Sequence, residues 1–314
     1  GYFVAFLISL GGLAFNIGNI GGASMGLNIV FGIDTTTAAA ISGILGILLF
    51  ASPKMGGVLD NTAKVLGTVM LVLIGYVAFS TNPPVAEAAT HAIVPTNYPW
   101  LATITLIGGT VGGYITFSGG HRLIDAGITG REHLKDVRRA AFMGMSVDAI
   151  VRILLFLAVL GVVSMGFALD PKDPAGSAFL LGAGEIGHKL FGIVFFCAAL
   201  TSVVGAAYTS VSFLKTLFKV VERYEKLTIM AFIFVSTCIL IFIGKPATLL
   251  IVAGSVNGLI LPVTLAVMLL ATRKTNIVGD YKHNPILFYT GWIVVLVTAY
   301  IGVTSLQGIA KLLG

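Results

Sequence analysis

Nine times along its 314 residues the chain runs apolar for about the length needed to cross a bilayer, and this limits it to folds that satisfy every backbone polar group internally. The runs are read at about 2–32, 36–51, 61–80, 100–120, 139–167, 189–214, 227–244, 246–271 and 285–306. Only 10% of the residues are charged and mean hydropathy is +1.00, which excludes a water-soluble globular domain. The sequence therefore predicts an all-α integral membrane protein forming one polytopic domain over residues 1–314.

The net charge of +6 is a topology signal and does not point to nucleic acid. Basic residues gather in alternate connections: Lys54 and Lys64; Arg122, Arg131, Lys135, Arg138 and Arg139; Lys215, Lys219, Arg223 and Lys226; then Arg273, Lys274 and Lys282. The stretch from Pro83 to Pro99 has none, and the other intervening loops carry only Lys172, Lys189 and Lys245. The positive-inside rule makes the basic loops cytoplasmic, in a multi-pass protein of the plasma (inner) membrane whose first span starts on the cytoplasmic side. The lipid bilayer is then the expected partner and the protein is expected to be monomeric.

Within the fourth run, Ile107 to Gly120 holds six glycines in fourteen residues. A broken membrane helix is expected there. Non-helical backbone at that depth is tolerated where it faces protein or a wet cavity, and in transporters such breaks surround the substrate. The first run carries Gly18, Gly22 and Gly26 at intervals of four, a face suited to close helix contact. It also carries Asn16 and Asn19, which either bond to an adjacent helix or line a water-filled path.

Asp148 and Arg152 form an opposite-charge pair four residues apart inside the fifth run, read as an intramembrane ion pair with either an anchoring or a functional role. In the eighth run Gly254, Ser255 and Asn257 precede Leu261-Pro262; the polar pair could stand beside an ion path or satisfy backbone groups freed by the proline. Cys197 and Cys238 read as small hydrophobes in separate spans, and the five histidines form no ligand-spaced cluster. His121, near the expected break, reads as interfacial. The acid pairs, Ser-Lys or Ser-His arrangements and metal clusters of an intramembrane enzyme are missing, so no catalytic residue and no cofactor is expected.

Several short motifs occur in the order found in one transporter family. Gly26-Leu-Asn-Ile-Val-Phe-Gly-Ile33 resembles the Leu-Asn-Leu-Leu-Phe-Gly-Ile ending of the third helix of NRAMP divalent metal transporters. Gly109-Thr-Val-Gly-Gly-Tyr-Ile115 falls where metal-transporting members read Ala-Thr-Val-Met-Pro-His-Asn on helix six. Gly205-Ala-Ala-Tyr-Thr-Ser210 is similar to the eighth helix, and Leu261-Pro262 to the end of the tenth. The sequence resembles the magnesium-transporting relatives of that family more than its transition-metal members.

The resemblance implies a LeuT-like fold of two inverted repeats, with this chain starting at helix three and lacking the first two. Residues 1–99 would be the remainder of the first repeat, 100–271 the second, and 285–306 an extra helix. It also implies a metal site at Gly109, Thr110, Gly112 and Gly113, with Tyr114, Thr116, Asn16, Asn19, Gly254, Ser255 and Asn257 along the pathway or behind it. The family methionine falls at Gly112, which removes a thioether that favours softer metals. Glycines at 109, 112 and 113 are expected to widen the space, and Thr110, Tyr114 and Thr116 to offer oxygens to a hydrated ion. The acidic residues and histidines of proton-coupled relatives fall at Asn16, Asn19, Tyr114 and Gly119, none of which readily exchanges protons near neutrality. The implied activity is Mg2+ uptake, with Mn2+ as a second substrate, uncoupled from protons. A proton-coupled transition-metal carrier is the first alternative, and a non-transporting helical subunit the second.

Overall fold

The computed structural model describes residues 2–130 and 132–313, except for the side chains of residues 53–60, 63, 64, 116, 118, 121, 122, 125, 309 and 311–313. Among the described residues every element is helical: α1 (Tyr2–Phe31), α2 (Thr35–Ala51), α3 (Pro53–Ser80), α4 (Val85–Ile93), α5 (Trp100–Val111), α6 (Gly113–Asp125), α7 (Leu134–Ser164), α8 (Pro174–Leu217), α9 (Lys219–Arg223), α10 (Glu225–Ile243), α11 (Pro246–Ala271), α12 (Thr275–Val278) and α13 (Pro285–Leu313). Six of them, α1, α7, α8, α10, α11 and α13, meet the length and apolarity needed to cross a membrane unaided. The other three expected spans correspond to the 17-residue α2, to α3, and to the interrupted pair α5 and α6. The chain is a multi-pass membrane protein.

Local chemistry explains the ends. Asp34 caps α2, its carboxylate accepting from the Thr36 and Thr37 amides at 3.1 and 3.0 Å. Hydrogen bonding from Thr37, hydroxyl first and amide second, holds this carboxyl below its ordinary range. Gly244 ends α10 in the left-handed region at φ 67°, where a Cβ would be strained, and Pro246 starts α11 in the first turn.

Three expectations need correction. The third span begins at Pro53, placing Lys54 and Lys64 in the helix instead of a loop, because proline suits a first helical turn. The stretch between Pro83 and Pro99 contains α4, bent by 103° from α3. The sixth span starts at Pro174, well before residue 189, and is two helices joined at Gly184, whose φ of 67° and ψ of −171° no helix accommodates.

Packing divides the chain into two units built from interleaved stretches. One comprises residues 20–98 and 123–202. Its core joins Leu73, Ile74 and Val77 of α3 to Ala158 and Val162 of α7 and to Phe179 and Phe191 of α8, the two rings stacked at 4.5 Å. That stack brings together residues on opposite sides of the Gly184 kink, so the first part of α8 folds back on the second. Small residues allow close approach: a Cβ on Gly26 would stand 2.7 Å from the Phe196 nitrogen, and one on Gly161 would overlap the Thr81 hydroxyl.

Asp173 precedes the folded-back segment, accepts from the Gly176 amide at 3.0 Å, and lies 3.9 Å from His188 Nε2 beyond the kink. Burial pushes its carboxyl up, outweighing the Gly176 bond and His188, which act downward. A folded-state value above the unfolded one means that this group's contribution to stability is greatest when it is protonated and declines as pH rises from about 4. Asp173→Asn should flatten that part of the stability profile, as followed by thermal unfolding in detergent from pH 4 to 7; an unchanged slope would exclude Asp173 as its source.

The other unit comprises residues 1–19, 99–122 and 203–314. Here α11 packs against α5 and α13, and Ile8, Tyr114 and Ala206 form a buried cluster flanked by Phe15, Phe117 and Phe213. The expected division at residue 99 follows sequence repeats; the units follow packing and cut through α1, α6 and α8.

Candidate functional site

The expected helix break is present. Helix α5 ends at Val111, Gly112 is extended at φ −51° and ψ 160°, and α6 begins at Gly113. No proline forces this. The helix-weakening glycines permit it, and α11 holds it in place.

The contact with α11 is close to the limit for two helices. A Cβ on Gly108 would overlap the carbonyl oxygen of Gly254 and stand 2.3 Å from the nitrogen of Gly258. In return, one on Gly254 would lie 2.8 Å from the Thr105 carbonyl oxygen, and one on Gly258 2.5 Å from that of Ile104. A hydroxyl pair, Thr105 Oγ1 and Ser255 Oγ at 2.8 Å, joins the same two helices. Ser255 thus fastens α11 to α5, while its hydroxyl also reaches the Ile251 carbonyl.

The site glycines divide in role. Gly109 looks into open space, with nothing within 4 Å of where a Cβ would sit. Gly112 and Gly113 do not: their Cβ atoms would stand 2.7 Å from Asn257 Cβ and 2.4 Å from Ile260 Cγ2. Their missing side chains are used for helix contact, so the extra space expected at all three positions is found only at Gly109. The Thr110 hydroxyl bonds to the Leu106 carbonyl in its own helix, leaving its lone pairs as the polar feature available beyond it.

Tyr114 is buried, and its hydroxyl donates to the Ala206 carbonyl of α8 at 3.2 Å. The ring fits because Gly12 has no side chain: a Cβ there would meet Tyr114 Cε2 at 3.0 Å and overlap the Ser210 hydroxyl. The Thr116 side chain lies outside the described residues, as does that of His121.

Three amides complete the site. Asn16 is fully buried, and its Nδ2 donates to Ser236 Oγ of α10 at 3.1 Å. Asn257 is also fully buried, and its Nδ2 donates to the carbonyls of Gly11 at 3.0 Å and Ala253 at 3.1 Å. Asn16 Oδ1, Asn257 Oδ1 and Asn19 Nδ2 have no hydrogen-bond partner. Asn257 therefore does not serve the carbonyl freed by Pro262, which belongs to Gly258 four residues earlier. Two orphaned acceptor oxygens in one unit are unusual, since buried polar groups are nearly always satisfied.

Gly11, Gly12, Ser236 and Thr264, which the sequence did not single out, also shape this region, together with Ser210 at the end of the Gly205–Ser210 motif. The Gly11-Gly12 pair was the available signal, because adjacent small residues on a membrane helix mark close approach. Among the described residues, no group of three or more His, Cys, Asp or Glu is placed to hold a metal ion. The polar groups packed at the break are the Gly108 carbonyl, the Thr264 hydroxyl and the Asn257 amide, all uncharged, beside the apolar Ile260. Asp148 and Arg152 do meet, at 2.8 Å, in the other unit.

Comparison with known proteins agrees with this architecture. The chain is 51% identical over 306 residues to the uncharacterized membrane protein YcsG of Bacillus subtilis, covering 98% of this chain and 76% of that one. It is 52% identical over 299 residues to an uncharacterized membrane protein of Haemophilus influenzae, covering 95% and 75%. Among solved structures, a mutant of the Eremococcus coleocola manganese transporter superposes with a TM-score of 0.66 at 15% identity, covering 98% of this chain and 72% of that one. The same transporter in complex with an aromatic bis-isothiourea substituted compound gives a TM-score of 0.65 at 16% identity. At such identities the likeness concerns the fold, which is the LeuT-like fold. The natural resistance-associated macrophage protein-like family model matches residues 1–307, and the chain belongs to that Nramp family.

Proposed function

We propose that this protein carries divalent metal cations across the membrane by alternating access, Mg2+ first and Mn2+ second, without coupling to protons. In this reading its nine spans correspond to helices three to eleven of the family fold, the basic loops face the cytoplasm, and a monomer in the plasma membrane is the working unit. The observation that carries the reading is the break at Gly112, where the polar groups packed nearby are uncharged and the thioether of the family pattern is replaced by a glycine. Mg2+ sheds water reluctantly, so a site that offers oxygen without soft ligands favours it over transition metals.

The amides support proton independence. Asn16 and Asn19 carry no group that ionises in the physiological range, and the Tyr114 hydroxyl is engaged with the Ala206 carbonyl. A dication entering an inside-negative compartment gains about 4.6 kcal/mol per 100 mV, twice the value for one elementary charge, which drives accumulation without a second ion.

The test is simultaneous measurement of metal and proton flux in vesicles reconstituted with the full-length gene product. We expect Mg2+ uptake that scales with membrane potential, with no accompanying acidification. Proton movement in fixed ratio to metal, or cadmium outcompeting Mg2+, would favour a proton-coupled transition-metal carrier.

A further inference from the structure

An amide side chain in a crowded interior can be turned either way, but Asn257 cannot. Both of its close partners, the Gly11 and Ala253 carbonyls, are acceptors, so the atom facing them must be Nδ2 and the opposite atom must be Oδ1. That oxygen has no partner on a residue that is fully buried, an arrangement that is costly to keep. Alternatives free of this cost exist, since a leucine would leave nothing orphaned.

The surroundings of Oδ1 are equally specific. A Cβ on Gly11 would stand 2.8 Å from it, and one on Gly112 would stand 2.7 Å from Asn257 Cβ. Gly11 of α1 thus sets only a hydrogen atom against the Asn257 amide oxygen, and Gly112 at the break only a hydrogen atom against its Cβ. The helix break and the orphaned acceptor are therefore neighbours, and Gly11, 246 residues from Asn257 in the chain, closes the other side of the amide.

We propose that Asn257 Oδ1 accepts a hydrogen bond from the water shell of the transported dication at the α5–α6 break, acting as a neutral selectivity element for an ion that arrives hydrated. The inference rests on the transport reading above. Its two Nδ2 bonds hold the oxygen in place, so it meets the rim of a hydrated ion and does not close on a bare one.

Asn257→Ala should raise the KM for Mg2+ about tenfold in reconstituted vesicles. Gly11→Ala, which leaves both Nδ2 bonds available but covers the oxygen, should do the same. Neither effect is expected from a residue that only pins α11 to α1. Folding of the variants need not decide the matter, because Val256-Asn257 is the one Val-Asn step in the 314 residues, and paired isotope labelling identifies its side-chain signal in the unaltered protein. The expected result is a saturable displacement of the Asn257 Cγ resonance on adding MgCl2. An unmoved resonance, or a KM within twofold of the starting value in folded Asn257→Ala, would overturn the inference while leaving Mg2+ transport intact. Absence of any divalent flux in the unaltered protein would overturn the transport reading itself.

Discussion

Gly108→Ala should yield protein that folds poorly or not at all, whereas Gly109→Ala should fold as well as the parent or slightly better. The two positions are adjacent and look interchangeable in the sequence. Yet the added methyl at Gly108 would overlap a backbone carbonyl of α11, while that at Gly109 would meet nothing within 4 Å. Overpacking a tight interior typically costs 1–3 kcal/mol, and the upper end, about 3 kcal/mol, applies where the opposing atom is backbone and cannot turn aside. At Gly109 the change exchanges a flexible residue for a good helix former, worth roughly 0.5–1 kcal/mol in the other direction. Thermal unfolding of both variants in the same detergent is the measurement. Equal stability would mean that α5 and α11 do not approach through Gly108.

The second large effect concerns charge. Arg152 Nε and Asp148 Oδ2 lie 2.8 Å apart on α7, with their side chains 40% and 45% exposed among Met145, Val147, Ile150 and Ile153, which are themselves exposed. Apolar surroundings of this kind make an unpaired charge expensive: about 2.5–3.5 kcal/mol for a lone arginine or aspartate at mid-helix on insertion scales. Asp148→Asn and Arg152→Gln should each reduce the yield of folded protein. The double substitution should recover most of it, because no charge is then left without its partner. A double variant as poor as the sum of the singles would show that the pair is uncoupled. If Asp148→Asn altered neither folding nor transport, both an anchoring and a functional role would be lost.

Much of the architecture was legible in one dimension. Six of the nine apolar runs correspond to helices long and apolar enough to span, because length and hydropathy are the bilayer's own criteria, and 246–271 was matched to the residue by α11. Where the runs misled, local chemistry was responsible. Pro53 started α3 earlier than hydropathy suggested, and the kink at Gly184 concealed the folded-back start of α8, whose polar flank hid a helix. The glycine-rich stretch announced a break, and Gly112 is where it falls. The individual site residues were harder to place, because a glycine beside an ion and a glycine beside another helix are written identically.

Periodicity, span length and the clustering of glycines belong to the chain as a string, and they settled that this is a bundle of membrane helices with one interrupted near the middle. Which glycine stays open, which amide oxygen is left over and which hydroxyl ties α5 to α11 were settled by partners that arrive from far along the chain. Ser255 comes to Thr105 across 150 residues, Ser236 to Asn16 across 220 and Gly11 to Asn257 across 246. A hydrogen bond or a steric overlap depends on distances of a few ångströms between such partners, and those distances exist only once the helices have packed.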